Sequence, residues 1–238
     1  MSDQDIPLID EALAPDPDAD AELGPGDAAA IADEDVRGSR LLLVRRAAES
    51  VDLDGTPGGA VQFACTFQPA YGARFTWARL LLRLETPDHI HIVDLAPREV
   101  LEEKPVQFTI DGKGKLGISY QAVDASVEKG TQKQFAIYHC KVQGSGESTT
   151  LARWDFNENP YRKDGLGPEQ VLAVTLPVTG DITGTVSVSA RLARGGVQGG
   201  IDSIRDLILG PQERHYRIFF TIPKPEQPTG LRRFLRLG

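Results

Sequence analysis

Two histidines separated by one residue are the strongest candidates for metal chemistry in this chain. His89 and His91 would project from the same face of a strand, because side chains alternate between the two faces with a period of two. Asp94 follows and could add a carboxylate oxygen to the two imidazole nitrogens. Ile90 and Ile92 would then face the core and leave both imidazoles toward solvent. The alternatives are a metal-dependent enzyme or small-ligand binder using His89, His91 and Asp94, and ordinary polar residues on a half-buried strand.

Other patterns with catalytic or binding chemistry are incomplete. Asp155, Asn157 and Asn159 have the spacing that opens a calcium-binding EF-hand loop, but Pro160 stands at the required glycine and Leu166 at the required glutamate. The sequence contains no G-x-S-x-G nucleophile motif and no glycine loop placed to bind a phosphate. It therefore predicts no cofactor and favours a non-enzymatic protein.

The cysteines belong to a pattern of their own. Cys65, then Trp77, then the run Ala136-x-Tyr138-x-Cys140 follow one another along predicted strands. This order resembles the immunoglobulin framework, in which a first cysteine, a core tryptophan and a tyrosine-corner cysteine recur. The resemblance implies an immunoglobulin-like β-sandwich. A chance match within a generic sandwich is the alternative, because a long strand-rich segment follows Cys140.

The elements that must position these residues are strands. Alternation of apolar and polar residues begins near Leu41 and recurs along the chain with turn residues between runs. Asp-Gly within residues 111–114 predicts a hairpin that joins the strand 106–110 to a return strand over 116–123. We expect an all-β fold, an antiparallel β-sandwich that occupies residues 37–228.

One segment has helical rather than strand spacing. Ile201, Ile204 and Ile208 recur at intervals of three and four residues, and Gly210 followed by proline would end a helix. The sequence therefore predicts one short helix within residues 199–211.

Charge is divided unevenly along the chain. Residues 1–36 hold 12 of the 34 acidic residues and no lysine or arginine, so the remainder carries 26 basic against 22 acidic groups. Such an acidic segment, rich in proline and alanine, is typical of disorder, and we expect a disordered acidic leader over 1–36. The nearly balanced remainder gives no reason to expect nucleic-acid binding.

Two segments are candidates for partner binding. A predicted loop from Trp154 to Lys163 mixes aromatic and charged residues, and the C-terminal peptide 229–238 mixes basic and apolar ones. The peptide could dock in the groove of a partner or touch an anionic membrane. The candidate residues are Trp154, Phe156, Tyr161, Arg162, Arg232, Arg233, Phe234 and Arg236.

Localisation and function follow from what the chain lacks. The sequence has no secretory signal pattern and no apolar run long enough to span a bilayer. We therefore expect a cytoplasmic protein with free cysteine thiols. The favoured function is a non-enzymatic interaction or scaffold module with a protein partner. A peripheral membrane protein anchored by the C-terminal peptide is a lower-ranked alternative, and the oligomeric state stays open.

Overall fold

β-strands dominate the part of the chain that the structure describes. The computed structural model describes residues 5–18, 36, 38–85, 90–103, 105–110, 116–119, 133–167, 169–194, 203–209 and 215–224. The strands are β1 (Ile6–Pro15), β2 (Arg40–Leu53), β3 (Thr56–Gln68), β4 (Ala73–Glu85), β5 (Asp94–Ala96), β6 (Glu99–Leu101), β7 (Val106–Ile110), β8 (Leu116–Ser119), β9 (Lys133–Ile137), β10 (Cys140–Ser145), β11 (Leu151–Asn157), β12 (Gln170–Leu176), β13 (Gly180–Arg194), β14 (Ser203–Leu209) and β15 (Tyr216–Ile222).

Twelve of these strands pair into one antiparallel sheet. Its order is β5-β12-β3-β2-β1-β14-β13-β4-β11-β10-β6, and β15 pairs with β13 beside this path. The two ends of the path, β5 and β6, are separated in the chain only by Pro97 and Arg98. The backbone N–H of Gly144 in β10 donates to the carbonyl oxygen of Arg98, and β10 contacts β5, so the sheet curls round until it is nearly closed. The predicted all-β, antiparallel class is confirmed.

The strand β1 joins the two halves of this sheet. Residues from Ile6 to Ala12 pair with β2, and residues from Leu13 to Pro15 pair with β14. Ile9 and Leu13 are buried in the core. The predicted disordered leader is therefore wrong for Ile6–Pro15. Residues 19–35 and 229–238 lie outside the described residues, so the rest of the predicted domain division stays a prediction.

The core lies inside the curled sheet. Inward-facing positions alternate along the long strands, so β3 contributes Phe63 and Phe67 while β11 contributes Trp154 and Phe156. The rings of Phe67 and Phe156 meet at 5.2 Å between centroids in an edge-to-face contact. Burying each such side chain contributes about 1.5–3 kcal/mol, which makes this the main source of stability.

The buried indole of Trp154 leads to a first prediction. Among the described residues, its Nε1 finds no hydrogen-bond acceptor, and an unpaired buried N–H costs about 1–3 kcal/mol. Trp154→Phe removes both that cost and part of the ring packing. We expect its free energy of unfolding to stay within about 1 kcal/mol of wild type, whereas Trp154→Ala should lose about 3–5 kcal/mol. Urea unfolding followed by circular dichroism measures both. Equal losses in the two variants would contradict the unpaired N–H.

The predicted helix within 199–211 is wrong. Residues from Ser203 to Leu209 form β14, which pairs with β13 on one side and β1 on the other. Ile204 and Ile208 lie opposite Ala193 and Ser189 of β13. Pairing on both edges of β14 therefore decides the structure of a segment whose local spacing favours a helix.

The immunoglobulin resemblance fails at its central residues. Trp77 is only partly buried and lies under the guanidinium of Arg79, 5.2 Å from the ring centroid, whereas the fully buried tryptophan is Trp154. Cys65 and Cys140 are both free thiols, as the sequence predicted. The twelve strands form one nearly closed sheet, which does not identify an immunoglobulin-like sandwich.

Candidate functional site: an inserted sheet and its base

A segment of the chain leaves the main sheet and returns to it at neighbouring strands. β6 ends where the segment begins, β10 starts where it ends, and these two strands pair with Leu101 opposite Cys140. The backbone N–H of Glu102 donates to the carbonyl oxygen of His139 at 2.9 Å. Residues 103–138 are therefore an insertion closed at its base by a backbone hydrogen bond. We call them the inserted segment.

The inserted segment forms a separate three-stranded antiparallel sheet in the order β8-β7-β9. Phe108 of β7 lies opposite Ile118 of β8 and Phe135 of β9. Side chains alternate between the faces of a sheet, so the register places apolar residue types at one set of positions. That set is Val106, Phe108, Ile110, Leu116, Ile118, Phe135 and Ile137, together with Lys133. The opposite set is Gln107, Thr109, Gly117, Ser119, Gln134 and Ala136.

A buried carboxylate sits at the base of the inserted segment. The side chain of Glu102 is 2% exposed. Its Oε2 accepts a hydrogen bond from Nδ2 of Asn159 at 2.8 Å and pairs with Nη1 of Arg162 at 3.3 Å. Asn159 is itself buried, and its Oδ1 accepts from the backbone N–H of Tyr161. A buried charge is tolerated when it is paired and hydrogen-bonded, and Glu102 meets both conditions.

A second buried carboxylate holds the loop that supplies Asn159 and Arg162. Oε1 of Glu158 accepts from Nε of Arg74 at 2.6 Å and from the backbone N–H of Gly165 at 2.7 Å. Leu166 donates its backbone N–H to the carbonyl of Phe75. The loop between β11 and β12 is thus fixed against the start of β4.

A cleft of about 210 Å³ opens between this loop and the base of the inserted segment. Its lining mixes carboxylate, amide and ammonium groups with apolar side chains. The lining residues are Glu102, Lys141, Phe156, Asn157, Asn159, Asp164, Gly165, Leu166, Gly167 and Gln170.

Exposed tyrosines surround this end of the molecule. Tyr71 lies in the turn between β3 and β4 and is 99% exposed. Tyr138 follows β9, Tyr161 lies in the loop after β11, and both are exposed. All three are at the end of the sheet where β4 begins and β11 stops, which is also where the inserted segment leaves. Tyrosine combines an apolar ring with a polar tip, so this end suits a boundary between water and an apolar phase.

Two of the four predicted partner-binding residues that the structure describes are not at the surface. Trp154 and Phe156 lie within β11 and are fully buried, so the predicted loop begins only after Asn157. Tyr161 is exposed, whereas Arg162 is engaged with Glu102. The four candidates of the C-terminal peptide, Arg232, Arg233, Phe234 and Arg236, lie outside the described residues.

Among the described residues, the structure does not bring the predicted metal ligands together. His89 lies outside them, and His91 is exposed and precedes β5 rather than lying in a strand. Asp94 is bound by Arg98 at 3.0 Å, and this hydrogen bond lowers the pKa of the Asp94 carboxyl. Within the described ranges no group of three or more histidine, cysteine, aspartate or glutamate side chains could hold a metal ion. The site at His89, His91 and Asp94 stays a prediction.

Neither cysteine is poised for chemistry. Burial raises the pKa of the Cys65 thiol far above its ordinary value, and burial also raises the pKa of Cys140. Thiolates are the reactive form of cysteine, so burial disfavours the reactive form of both side chains.

Comparisons with known proteins give distant structural neighbours. No protein-family model matches the sequence, and no curated protein matches it. The chain is similar to Clostridium perfringens delta-toxin, with 12% identity, a TM-score of 0.30, and 77% of this chain and 92% of that one covered. It is similar to a pore forming protein at 11% identity and a TM-score of 0.36, covering 78% and 87% of the chains. The membrane-inserted form of Clostridium perfringens NetB toxin matches at 10% identity and a TM-score of 0.28, covering 76% and 94%.

These neighbours contradict the sequence-based prediction of function. Two are named as toxins, one of them in a membrane-inserted form, and the third is named as a pore forming protein. The predicted cytoplasmic scaffold, its protein partner, its cytoplasmic location and the low rank given to the membrane are therefore wrong. The likeness is distant, and it assigns no residue of this chain a role.

Two features of the fold contradict the arguments for the scaffold prediction. The acidic leader was expected to be disordered, but its residues Ile6–Pro15 form β1 within the sheet. Trp154 and Phe156 were expected at a binding surface and are in the core. Among the described residues, no helix has the length and hydrophobicity that crossing a membrane requires.

Proposed function

We propose that this chain is a membrane-inserting, pore-forming protein, and that its inserted segment rearranges into one long β-hairpin that enters the bilayer. The single observation that carries the proposal is the register between β7 and β9.

The register between β7 and β9 can be extended along the sequence. In each β7–β9 pair the two residue numbers add up to 243; for example, residue 106 pairs with 137 and residue 110 with 133. The same register would pair residues 106–120 with 123–137 and leave a two-residue turn at 121–122. Two-residue turns are the commonest hairpin connection. The pairing present at the base therefore has the register that a longer hairpin would use.

The extended hairpin would have two faces of opposite character. Its apolar face would carry Val106, Phe108, Ile110, Gly112, Gly114, Leu116, Ile118, Tyr120, Val123, Ala125, Val127, Lys129, Thr131, Lys133, Phe135 and Ile137. Its polar face would carry Gln107, Thr109, Asp111, Lys113, Lys115, Gly117, Ser119, Asp124, Ser126, Glu128, Gly130, Gln132, Gln134 and Ala136. Such alternation is the signature of strands with lipid on one side and water on the other.

The charged and hydroxyl-bearing residues that interrupt the apolar face, apart from Tyr120, lie in the middle of the second strand of the hairpin, residues 123–137. Lys129 and Lys133 flank Thr131, and the extended register places Gly112 and Gly114 opposite Thr131 and Lys129. Glycine leaves room beside a long lysine stem, which can lie along an apolar surface and carry its ammonium toward water or headgroups. Each of these lysines still adds to the cost of insertion, about 2–4 kcal/mol at the midplane, which edge-to-edge pairing of the hairpins in the ring must offset.

The hairpin is long enough to cross a bilayer. At about 3.3 Å per residue, a strand of 15 residues such as 106–120 extends about 50 Å. Tilted by about 45°, it spans about 35 Å, against a hydrocarbon core about 30 Å thick.

A single hairpin cannot remain alone in lipid. Its two outer edges would expose unpaired backbone N–H and C=O groups, and each costs several kcal/mol where no water is present. Hairpins from several copies must therefore pair edge to edge into a closed ring, with the polar face toward the lumen. Oligomerisation is part of the proposed function.

The exposed tyrosines indicate which end of the molecule would rest on the membrane. Tyrosine is enriched at membrane–water interfaces, where the ring reaches the acyl boundary and the hydroxyl stays hydrated. Tyr71, Tyr138 and Tyr161 lie at the end from which the inserted segment departs. The segment would then leave the main sheet directly above the bilayer.

A reversible cross-link tests the rearrangement. Gln107 and Ser119 lie opposite each other in the β7–β8 pair, but in the extended strand they would be 12 residues, about 40 Å, apart. We expect oxidised Gln107→Cys/Ser119→Cys, in a Cys140→Ser background, to release no dye from vesicles of phosphatidylcholine, phosphatidylserine and cholesterol. Reduction should restore release to the wild-type level.

The matched control is Gln107→Cys alone in the same background, whose release should not respond to the reductant. Cys65 can stay, because it is buried and its thiol is unreactive. Equal release from the oxidised and reduced double variant would contradict the rearrangement. Absence of release by the wild-type protein at micromolar concentration would contradict pore formation.

A further inference from the structure

We infer that the outer face of the main sheet carries a binding site for a phosphate monoester, formed around Arg83, Thr185 and Ser187. A cleft of about 270 Å³ opens on this face, and these three side chains line it together with Leu81 and Leu151. The inference does not depend on pore formation, because the cleft involves no residue of the inserted segment.

Alternation along neighbouring strands brings the polar groups of the cleft to one face. Arg83 is the outward residue between the buried Leu82 and Leu84 of β4. Thr185 lies directly opposite Arg83 on β13, and Ser187 is the next outward position of that strand. Directly opposite residues on one face have Cβ atoms about 4.5–5.5 Å apart, and diagonal ones about 7–8 Å. One small ligand can therefore reach the guanidinium and both hydroxyls.

These three side chains have hydrogen-bonding capacity that the fold leaves unused. Among the described residues, no hydrogen bond or ion pair engages the side chain of Arg83, Thr185 or Ser187. Glu85, the acidic residue that also lines the cleft, is bound to Arg217 at 3.0 Å instead. An arginine fork matches two oxygens of an oxyanion, and each hydroxyl can donate one more hydrogen bond. The cleft therefore offers donors for all three terminal oxygens of a phosphate group.

The charge of this face also fits a phosphate monoester. We count the described outward residues at positions 79–85 of β4 and those directly opposite on β11, β13 and, beyond β13, β15. The charged groups are Arg79, Arg83, Arg153 and Arg217, with Asp155 and Glu85. Four guanidinium groups thus face two carboxylates, in a chain whose formal net charge is −8. A phosphate monoester carries about −1.5 to −2 charges near neutral pH, which matches the local surplus.

The size of the cleft indicates that the phosphate has an organic substituent. About 270 Å³ is room for about nine water molecules at about 30 Å³ each, more than a phosphate group fills. Leu81 and Leu151 form the apolar part of the lining. A compact ring attached to the phosphate would lie against these two side chains.

The phosphate of a lipid headgroup has similar oxygens, but two observations favour a free monoester. A phosphodiester carries one negative charge and so matches less of the surplus. The cleft also lies away from the exposed tyrosines, because Tyr71 precedes β4 whereas Arg83 comes ten residues after its first residue, about 33 Å along the strand. We therefore assign the cleft to a soluble ligand.

Isothermal titration calorimetry of the full chain with phenyl phosphate tests the site. We expect one saturable site with a Kd of about 1 mM or tighter near neutral pH. Arg83→Gln should weaken binding at least about tenfold, because a charge-assisted fork is lost. Thr185→Val keeps the shape of the side chain but removes the hydroxyl, and should weaken binding about threefold or more.

Arg191→Gln is the matched control. Arg191 is an outward arginine of β13, but it is paired with Asp206 at 2.7 Å and lies outside the cleft. Its substitution lowers the net charge by the same amount as Arg83→Gln. We expect phenyl phosphate to bind this variant within about twofold of the wild-type affinity, because screening by salt weakens the effect of a distant exposed charge.

No saturable binding of phenyl phosphate by the wild-type protein would overturn the site. Equal weakening in Arg83→Gln and Arg191→Gln would also overturn it, because net charge alone would then account for the attraction. Sedimentation with vesicles of phosphatidylcholine and phosphatidylserine tests the lipid source. Arg83→Gln should sediment as the wild-type protein does, and loss of sedimentation with unchanged phenyl phosphate binding would overturn the assignment to a soluble ligand. If circular dichroism shows that Arg83→Gln does not fold, Thr185→Val decides, and unchanged affinity in it overturns the site.

Discussion

Leu116→Arg should abolish dye release from vesicles, whereas Ser119→Arg should leave it near the wild-type level. Both residues belong to β8, but they lie on opposite faces of the strand, because their positions differ by an odd number. In the extended hairpin Leu116 would face lipid and Ser119 the lumen. A charged guanidinium is costly in the first environment and hydrated in the second.

The effect of Leu116→Arg is large because every copy in the ring carries it. Arginine on the lipid face of a membrane-spanning strand costs about 2–4 kcal/mol near the midplane and less near the interfaces. At about 1.4 kcal/mol per factor of ten, one copy at the midplane already loses more than tenfold, and several copies multiply the loss. We expect at least a hundredfold decrease in the initial rate of release, measured with entrapped dye at matched protein concentration.

The stability of the folded protein provides the control for this pair. β8 pairs with β7 in the separate three-stranded sheet and not in the twelve-stranded one. Thermal unfolding of the main sheet should therefore shift little in either variant. Equal release from Leu116→Arg and Ser119→Arg, with both proteins folded, would show that the alternation does not face lipid and would remove the proposed function.

Strand alternation was the part of the fold that the sequence predicted well. In the run from Thr185 to Leu192, the alternation of apolar and polar residues indicates a strand with Val186 and Val188 facing inward, and both are buried in β13. The Asp-Gly hairpin was expected between 106–110 and a strand starting at 116, and β7 pairs with β8 there. A period of two is a local property, so it can be read without knowing the partner strand.

Errors arose where distant partners decide the structure. Ile204 and Ile208 have helical spacing, yet pairing with β13 and β1 makes their segment a strand, because tertiary context overrides propensity. The acidic composition of residues 1–36 concealed ten residues that fit between β2 and β14. The average composition of a 36-residue segment does not reveal one strand within it when the strands that pair with it lie far along the chain.

The candidate site was predictable only in part. The alternation of apolar and polar residues in the inserted segment can be seen in the sequence. The register that would extend the hairpin, however, follows only from the observed β7–β9 pairs. Glu102 has no sequence signal, since it lies beside Glu103 and near Glu99 in an ordinary charged stretch. Its burial depends on Asn159, which is 57 residues away. Long-range burial of a single charge is invisible to motif analysis.

Gly144→Ala should strongly destabilise the protein, although it adds only one methyl group. Gly144 lies in β10 opposite Trp154, at the seam where the two ends of the main sheet meet. A Cβ at this position would collide with the carbonyl oxygen of Pro97 and would lie 2.6 Å from Cδ1 of Leu95. Because the backbone N–H of Gly144 also donates to the carbonyl of Arg98, the β5–β6 connection cannot move away without breaking that bond.

The expected cost of Gly144→Ala is about 3 kcal/mol of unfolding free energy, the upper part of the range for overpacking, because a backbone atom must give way. Gly167→Ala is the matched control, since its Cβ would meet only the flexible Nε2 of Gln170, at 2.8 Å. It should change the free energy by less than about 1 kcal/mol. Denaturant unfolding of both variants measures the difference. A loss at Gly144 no larger than at Gly167 would mean that β5 and β6 are not held together there, and the sheet would be open rather than nearly closed.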